Sequence, residues 1–440
     1  TPWGARSQTM AHAFSAAPWT VPSVATILTG FYPGQHGGGL FSGEVANLDV
    51  EVPSAINPTV PTLAEMMSQA GVVTSAVSAH PWFHANYGFQ RGFDELHLRS
   101  GADKVTARGM QWLDSNAAKT ERFFLYLHYM DVHDPHLDLP RSRQTAQEMP
   151  EKRRAALLES APEAACDDPE SVICVRYLTY ADATLKLREH IASVLDGLKR
   201  RGLLESTLVV LYSDHGEEFH DHLERGKARG EDPRGIYGFG HGQSLYQEQL
   251  HVPLQIWHPD YPGRELEQPV SLVDVVPSVF DWMGLALPEG IDFPGRSFAG
   301  MIERSTAAPF EWSEDQLAQE MIGERELFAS GIAYGPEQMA VIREGVKLIW
   351  HQIDNTREYY DLRNDPLERN PEAGISSRRA DNLDASLDRY FGWFDSQDYL
   401  PPELTDDVVE KLKGVGYLQG VESRGSNSSA DEPAEDGSRD

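Results

Sequence analysis

Thr207–Tyr212 reads Thr-Leu-Val-Val-Leu-Tyr and runs without a break into Ser213-Asp214-His215-Gly216-Glu217-Glu218. A run so nearly all apolar describes a strand covered on both faces, as strands of parallel sheets are. Sheets of that kind put their reactive groups at the carboxyl ends of strands, and here that end carries a carboxylate beside an imidazole. The neighbouring stretches alternate in the same sense. Val175–Arg201 has helical apolar spacing and stops at Gly202; His251–Trp257 reads as a strand; Ser271–Met283 reads as a helix stopped by Gly284. Upstream, Val72–Ala79 and Arg122–Tyr129 read as strands and Lys104–Ala117 as a helix. The alternation predicts an α/β domain with a mostly parallel sheet and helices on both faces. Residues 140–175 are polar without a strong period and are expected to form a surface excursion.

Ala16–Gly37 (AAPWTVPSVATILTGFYPGQHG) holds the next signal. Pro22 suits the first turn of a helix, where its missing N–H costs nothing, and Gly30 with Pro33 closes it. Thr20 then stands at a helix N-terminus, where free N–H groups and the dipole favour an anion. A hydroxyl there is either a helix cap or a nucleophile, and the stretch alone fits both. Asp214-His215 suits a divalent metal ion, or equally a cap and turn after a strand. His133, in Asp131-Val132-His133-Asp134-Pro135-His136, and His241, in Gly240-His241-Gly242, are loop histidines that fit a ligand contact or plain solvation. His220 and His222 add to an unusually dense cluster.

The chain has 440 residues and a formal net charge of -30, from 38 basic and 68 acidic side chains. A surface that acidic argues against nucleic acid or an anionic membrane face as a partner. A small anionic substrate would need local positive charge, which a bound metal ion supplies. No run of about 18 apolar residues marks a transmembrane segment. Cys166 and Cys174 flank a short acidic loop and fit either a disulfide or two thiols. Beyond about residue 311, Ala340–Arg343, Val346–His351 and Glu358–Leu362 predict an antiparallel meander turning at Glu344-Gly345 and Asp354-Asn355. Helices are expected near 380–394 and 404–413, and a disordered acidic tail over 421–440. The predicted division is a catalytic α/β domain over 1–310, a small α+β module over 311–420, and the tail.

These islands together resemble the sulfatase family of the alkaline phosphatase superfamily. The likeness rests on Thr20-x-Pro22-Ser23, Leu28-Thr29-Gly30, Tyr32-Pro33 and His36-Gly37, then on HYMDVHDPH at 128–136 and Tyr212–Glu217. It continues through GHGQSLYQEQLHVPL at 240–254, Val273–Pro277, IREGVKLIW at 342–350, EYYDLRNDPLERN at 358–370 and EKLKGVGYL at 410–418. The resemblance implies an alkaline phosphatase-like fold and a catalytic set of Thr20, His133 and His241. It implies one divalent metal ion (Zn, Mn, Ca or Mg) held by Asp214, His215 and Thr20. Gly30 and His36-Gly37 would shape the turn after the nucleophile helix.

Three departures qualify that implication. Sulfatases proper carry a cysteine or serine at the position of Thr20, converted to formylglycine, and an arginine at that of Val24. The lysine-bearing motif expected near 78–84 is replaced by Ser78-Ala79-His80-Pro81-Trp82-Phe83-His84. The family's first strand, with its metal-binding aspartates, would precede Thr1, so the expectation is a sequence lacking that strand. A threonine sulfate ester has no aldehyde to collapse to, whereas a threonine phosphate ester can be displaced in line. The implied activity is therefore a metal-dependent hydrolase of phosphate, phosphonate or sulfate esters. The alternatives are a phospho-alcohol headgroup transferase and a catalytically silent binding protein. A periplasmic or extracellular setting is the expected location.

Overall fold

The computed structural model describes residues 6–45, 48–83, 87–133, 136–230, 232–306, 325–371, 375–394 and 400. The expected helix at 404–413, the 421–440 tail and the boundary at 310/311 lie outside these. In chain order, β1 (Gln8–Met10) and β2 (Ala13–Phe14) lead into α1 (Thr20–Thr29) and α2 (Pro33–His36). A hairpin of β3 (Leu40–Val45) and β4 (Leu48–Pro53) precedes α3 (Leu63–Gln69), β5 (Val73–Ser78), β6 (Glu95–Leu98), α4 (Ala102–Asn116) and β7 (Phe123–His128). Four helices follow: α5 (Leu139–Glu148), α6 (Glu151–Glu159), α7 (Glu163–Cys166) and α8 (Val172–Arg200). Next come β8 (Val209–Tyr212), β9 (Glu218–Phe219), α9 (Leu223–Arg229), β10 (Phe239–Gly240), α10 (Gln247–Leu250), β11 (Leu254–Trp257), β12 (Arg264–Leu266), β13 (Val270–Ser271), α11 (Val275–Met283) and α12 (Ala299–Thr306). The last part is β14 (Glu326–Ala329), β15 (Gln338–Arg343), β16 (Val346–His351), β17 (Thr356–Asp361) and α13 (Ser377–Phe394).

Two sheets organise the larger part. One has the order β6-β5-β7 and is parallel throughout, with Ser78 opposite His128 at its carboxyl end. The other has the order β12-β1-β11-β8 and is mixed. There β1 runs parallel to β12 but antiparallel to β11, and β8 is antiparallel to β11, with Leu254 opposite Tyr212. This corrects the reading of Thr207–Tyr212 as a parallel strand covered on both faces. All four residues of β8 are half-buried, and its partner runs the other way. An apolar run reports burial potential and carries no information on the direction of its neighbour. The carboxyl end of β8 still delivers Asp214, as expected.

Helix α1 is buried along its whole length. Ile27 joins the core built by β1, β11, α3, α11 and α12, while Val21, Val24, Ala25 and Leu28 join a second core with Trp82, Phe83, Tyr87, Phe89 and Tyr126. A helix buried all round must satisfy its polar side chains at home. Thr29 Oγ1 donates to Ala25 O at 2.7 Å, and Thr26 Oγ1 meets His36 Nε2 at 3.1 Å. His36 Nδ1 accepts from Gly38 N, and burial pulls its pKa down to about 3, so it is a neutral structural imidazole. Gly30 ends the helix at φ 78°, and a Cβ there would sit 3.0 Å from Val276 and 3.1 Å from Phe293.

The polar excursion at 140–175 is in fact helical. Helices α5, α6 and α7 pack against α8, and Cys166 and Cys174 form a disulfide that ties α7 to it. The C-terminal module is an antiparallel sheet of order β14-β15-β16-β17 with α13 on one face. Its turns fall where expected, with Glu344, Gly345 and Asn355 at positive φ. The other face packs Ala329, Ala340, Ile349 and Tyr360 against Leu245, Tyr246 and Leu250, so it buttresses the segment that follows His241.

Candidate active site

Four segments converge where β5, β7 and β8 end and α1 begins. Trp19 occupies the cap position of α1, and Thr20 is the first helical residue, 3% exposed. Its hydroxyl does not close the helix end: Thr20 Oγ1 lies 3.2 Å from His215 Nε2. That nitrogen is also 3.6 Å from Asp214 Oδ2. The loop after β8 is pinned on both sides. Ser23 Oγ donates to Asp214 O at 2.5 Å, Ser213 Oγ donates to His215 O at 2.7 Å, and His215 Nδ1 donates to Gly216 O at 2.8 Å. The last bond leaves Nε2 facing the threonine.

His241 comes from the far side of a short ribbon. Strands β9 and β10 pair with Glu218 opposite Gly240 and Phe219 opposite Phe239, so Glu217 and His241 meet at its open end. Glu217 Oε2 accepts from His241 Nδ1 at 2.9 Å, and Glu217 Oε1 lies 3.3 Å from His136 Nε2. The His241 ring stands 4.3 Å from that of His215 and 5.2 Å from that of His133. All five expected site residues, Thr20, His133, Asp214, His215 and His241, are thus gathered into one cluster.

The electrostatics follow from burial and from these neighbours. Burial pushes the Asp214 carboxyl up, but His215, His128 and His241 outweigh it and hold the group below its ordinary range. Its side chain remains 21% exposed. Burial also acts on Glu217, and His241 with His136 reverses it, leaving that carboxyl far below the usual range. Burial pulls His241 down to about 4 in spite of Glu217. At neutral pH the pair is therefore a carboxylate accepting from a neutral imidazole, whose Nε2 carries a lone pair.

Other expected candidates are elsewhere. Asp131 Oδ1 accepts from Ala102 N at 2.9 Å at the start of α4. His136 is fully buried among Tyr180, Phe219 and Phe239. His222 pairs with Glu248 at 2.9 Å and stacks on Tyr246 beside the C-terminal module. Two residues were not singled out from the sequence. Glu217 was hidden among four acidic or polar neighbours, and the role of His128, whose Nδ1 lies 3.0 Å from Tyr126 Oη, depends on a partner two positions back.

Among the described residues no group of three or more His, Cys, Asp or Glu side chains is arranged to hold a metal ion. Asp214 and His215 offer two donors and Thr20 a third of another kind. A carboxylate kept ionised at depth, beside an imidazole nitrogen and a hydroxyl oxygen, is a donor set that accepts a divalent cation. No described helix is long and apolar enough to cross a membrane.

A family model described as Sulfatase matches residues 5–285. Among curated relatives, steryl-sulfatase of Rattus norvegicus is 32% identical over 125 residues, 28% of this chain and 21% of that protein. Choline-sulfatase of Rhizobium meliloti is 29% identical over 185 residues, 41% of this chain and 30% of that protein. The chain thus matches about a fifth to a third of the length of these relatives. Among solved structures, a protein in complex with its substrate D-glucosamine-2-N,6-O-disulfate has a TM-score of 0.64 at 17% identity, covering 90% of this chain and 92% of that one. A phosphonate monoester hydrolase from Silicibacter pomeroyi has a TM-score of 0.58 at 18% identity, covering 90% of each chain. At these identities the structural likeness concerns the fold.

Proposed function

Because the chain belongs to the sulfatase family, we propose that it is a metal-dependent hydrolase of small anionic esters, with phosphate or phosphonate esters preferred over sulfate. The observation that carries this reading is the Thr20 hydroxyl 3.2 Å from His215 Nε2, a nitrogen that also faces Asp214. Asp214, His215 and Thr20 would hold the divalent cation, with substrate oxygens as further donors. When bound, the cation acidifies a nearby hydroxyl and screens negative oxygens. Thr20 Oγ1 would attack the central phosphorus as the bond to the leaving oxygen breaks, its hydroxyl proton passing to that oxygen by way of His133. His133 lies on the side of His241. In the second half of the reaction His241 would take a proton through Nε2 from the water that displaces Thr20 and return it to the Thr20 oxygen, while Glu217 holds its Nδ1–H. Free threonine and a hydrolysed ester result.

The preference for phosphorus over sulfur follows from the nucleophile. A threonine ester leaves only by displacement at the central atom, and position 20 offers no aldehyde hydrate to collapse. The Cys166–Cys174 disulfide supports a periplasmic or extracellular setting.

The test uses the 440-residue chain supplied in turn with Zn, Mn, Mg and Ca, assayed on aryl phosphate, phosphonate monoester and aryl sulfate. Thr20→Ala is expected to lower kcat by about 10³-fold or more with Tm unchanged, and Thr20→Ser to retain part of it. Turnover by Thr20→Ala within threefold of the parent would end the assignment. Release of a product joined to a second alcohol would replace hydrolase by transferase.

A further inference from the structure

The residues that follow β5 hold another imidazole, whose proton is on the opposite nitrogen from those of His215 and His241. His80 follows Ser78 by two positions and is 3% exposed. Its own N–H donates to Ser78 Oγ at 3.0 Å, and the backbone N–H of Trp82 donates to His80 Nδ1 at 3.2 Å. The ring is stacked on Trp82 at 5.3 Å and stands edge-on to His128 at 5.6 Å. Main chain and aromatic neighbours therefore fix both its position and its rotation.

A backbone N–H can only donate, so Nδ1 of His80 must be the acceptor. The neutral ring then carries its proton on Nε2. Burial holds it neutral, and the nearby imidazoles of His128, His133 and His215 act in the same direction. His215 and His241 are arranged the other way round. Their Nδ1–H groups donate to Gly216 O and Glu217, which turns Nε2 of each, in its neutral form, toward the cluster as a lone pair. Lone pairs and the Asp214 carboxylate repel the oxygens of a tetrahedral anion, and such an anion needs fixed N–H donors.

We propose that His80 is a further binding residue of this site, whose Nε2–H donates to a non-bridging oxygen of a phosphate, phosphonate or sulfate group. The proposal rests on the ester-hydrolase reading for its ligand, on the Trp82-to-His80 hydrogen bond for its tautomer, and on the nearness of the ring to His128, His133 and His215 for its place. The ordinary alternative is a core histidine that merely packs on Trp82. The two differ in one respect: a packing residue can be replaced by an aromatic ring without loss of anion affinity, and a donor cannot.

The experiment titrates inorganic phosphate into the metal-supplied chain by calorimetry, for the parent, His80→Phe and His80→Gln. His80→Phe keeps the stack on Trp82 and is expected to weaken phosphate binding by about 10- to 100-fold. His80→Gln restores an N–H and is expected to recover most of that loss. Equal affinity for parent and His80→Phe would overturn the proposal. Nitrogen-15 NMR of the parent supplies the readout that survives a poorly folding variant. It should show His80 protonated at Nε2 and bare at Nδ1, with the Nε2–H resonance moving on phosphate addition. A proton on Nδ1, or a resonance indifferent to phosphate, would also overturn it. If phosphate binds through His80 while Thr20→Ala still turns over, the nucleophile reading fails and this one stands.

Discussion

One carboxylate serves two imidazoles at Glu217, 2.9 Å from His241 Nδ1 and 3.3 Å from His136 Nε2. It fixes which nitrogen of His241 carries the proton, and it gives the fully buried His136 its polar neighbour. Glu217→Gln preserves the shape but offers an amide N–H on one side. With one acceptor left for two imidazoles, His241 is expected to lose its preferred tautomer. Turnover should fall by about 10- to 100-fold with KM little changed, read from steady-state kinetics. Glu217→Ala also leaves buried polar atoms without a partner, and a loss of about 1–3 kcal/mol in urea unfolding is expected. Thr20, His133, Asp214 and His215 are legible as candidates because each follows an expected strand or opens an expected helix, and His241 because it sits between two glycines in a motif that resembles the family's. Glu217 and His80 were out of reach of that logic, since their roles depend on which nitrogen of a ring is held, and by what.

At the scale of elements, the end of α1 is a demanding position. Gly30 has a positive φ, and any side chain would press on Val276 and Phe293, both part of one core. Gly30→Ala is expected to destabilise by roughly 1–3 kcal/mol, from the left-handed backbone and the overpacking together. Because α1 carries Thr20 at its other end, activity should fall in step with helix displacement, checked by Tm and kcat on one sample. The elements also show where a sequence stops being informative. Helix α5 buries only Ser142 and α6 only Leu157, so neither shows the apolar stripe that reveals a helix, and 140–175 read as featureless. Each is held by docking on α8 rather than by its own periodicity. The meander of the C-terminal module was legible for the opposite reason. Its turns need positive φ, and Glu344-Gly345 and Asp354-Asn355 announce that directly.

Across the whole molecule, buried charge joins the two parts. Lys347 and Glu368 form an ion pair at 2.8 Å with neither side chain exposed, and Glu368 also accepts from Gln247 N and, through its carbonyl, from His222 Nε2. Lys347→Ala strands a buried carboxyl and is expected to cost about 3–5 kcal/mol, visible as a lowered Tm. The same region sets a pH dependence. Burial, joined by Glu248, raises the Glu218 carboxyl to about 7, against the ordinary 4.5 of the unfolded chain. Its contribution to stability is complete below about 4.5 and is lost as pH rises through 7. For His222, burial opposes the charge but Glu248 and Glu368 prevail, raising it from 6.5 to about 9. Its contribution is complete below about 6.5 and is lost as pH rises through 9. These two slopes have one sign, but His36 and His241, which burial holds well below 6.5, act in the opposite sense up to about pH 6.5. The fall therefore shows above that, and Tm should drop by roughly 1–3 °C between pH 7 and 9. Calorimetry across that range checks it, and His222→Gln should flatten it. A Tm that climbs from pH 7 to 9 would contradict the His222 assignment.

The two-residue ribbon of β9 and β10 has a consequence for how this protein can change over time. Adjacent carboxylates point to opposite sides of it: 217 meets His241, while 218 joins the contacts beneath. Gaining or losing a single codon at this point would shift both by one place, taking His241's partner away and unseating its support together. Gains or losses of chain should therefore be tolerated in the long excursion that joins the two strands, and almost never within the strands themselves.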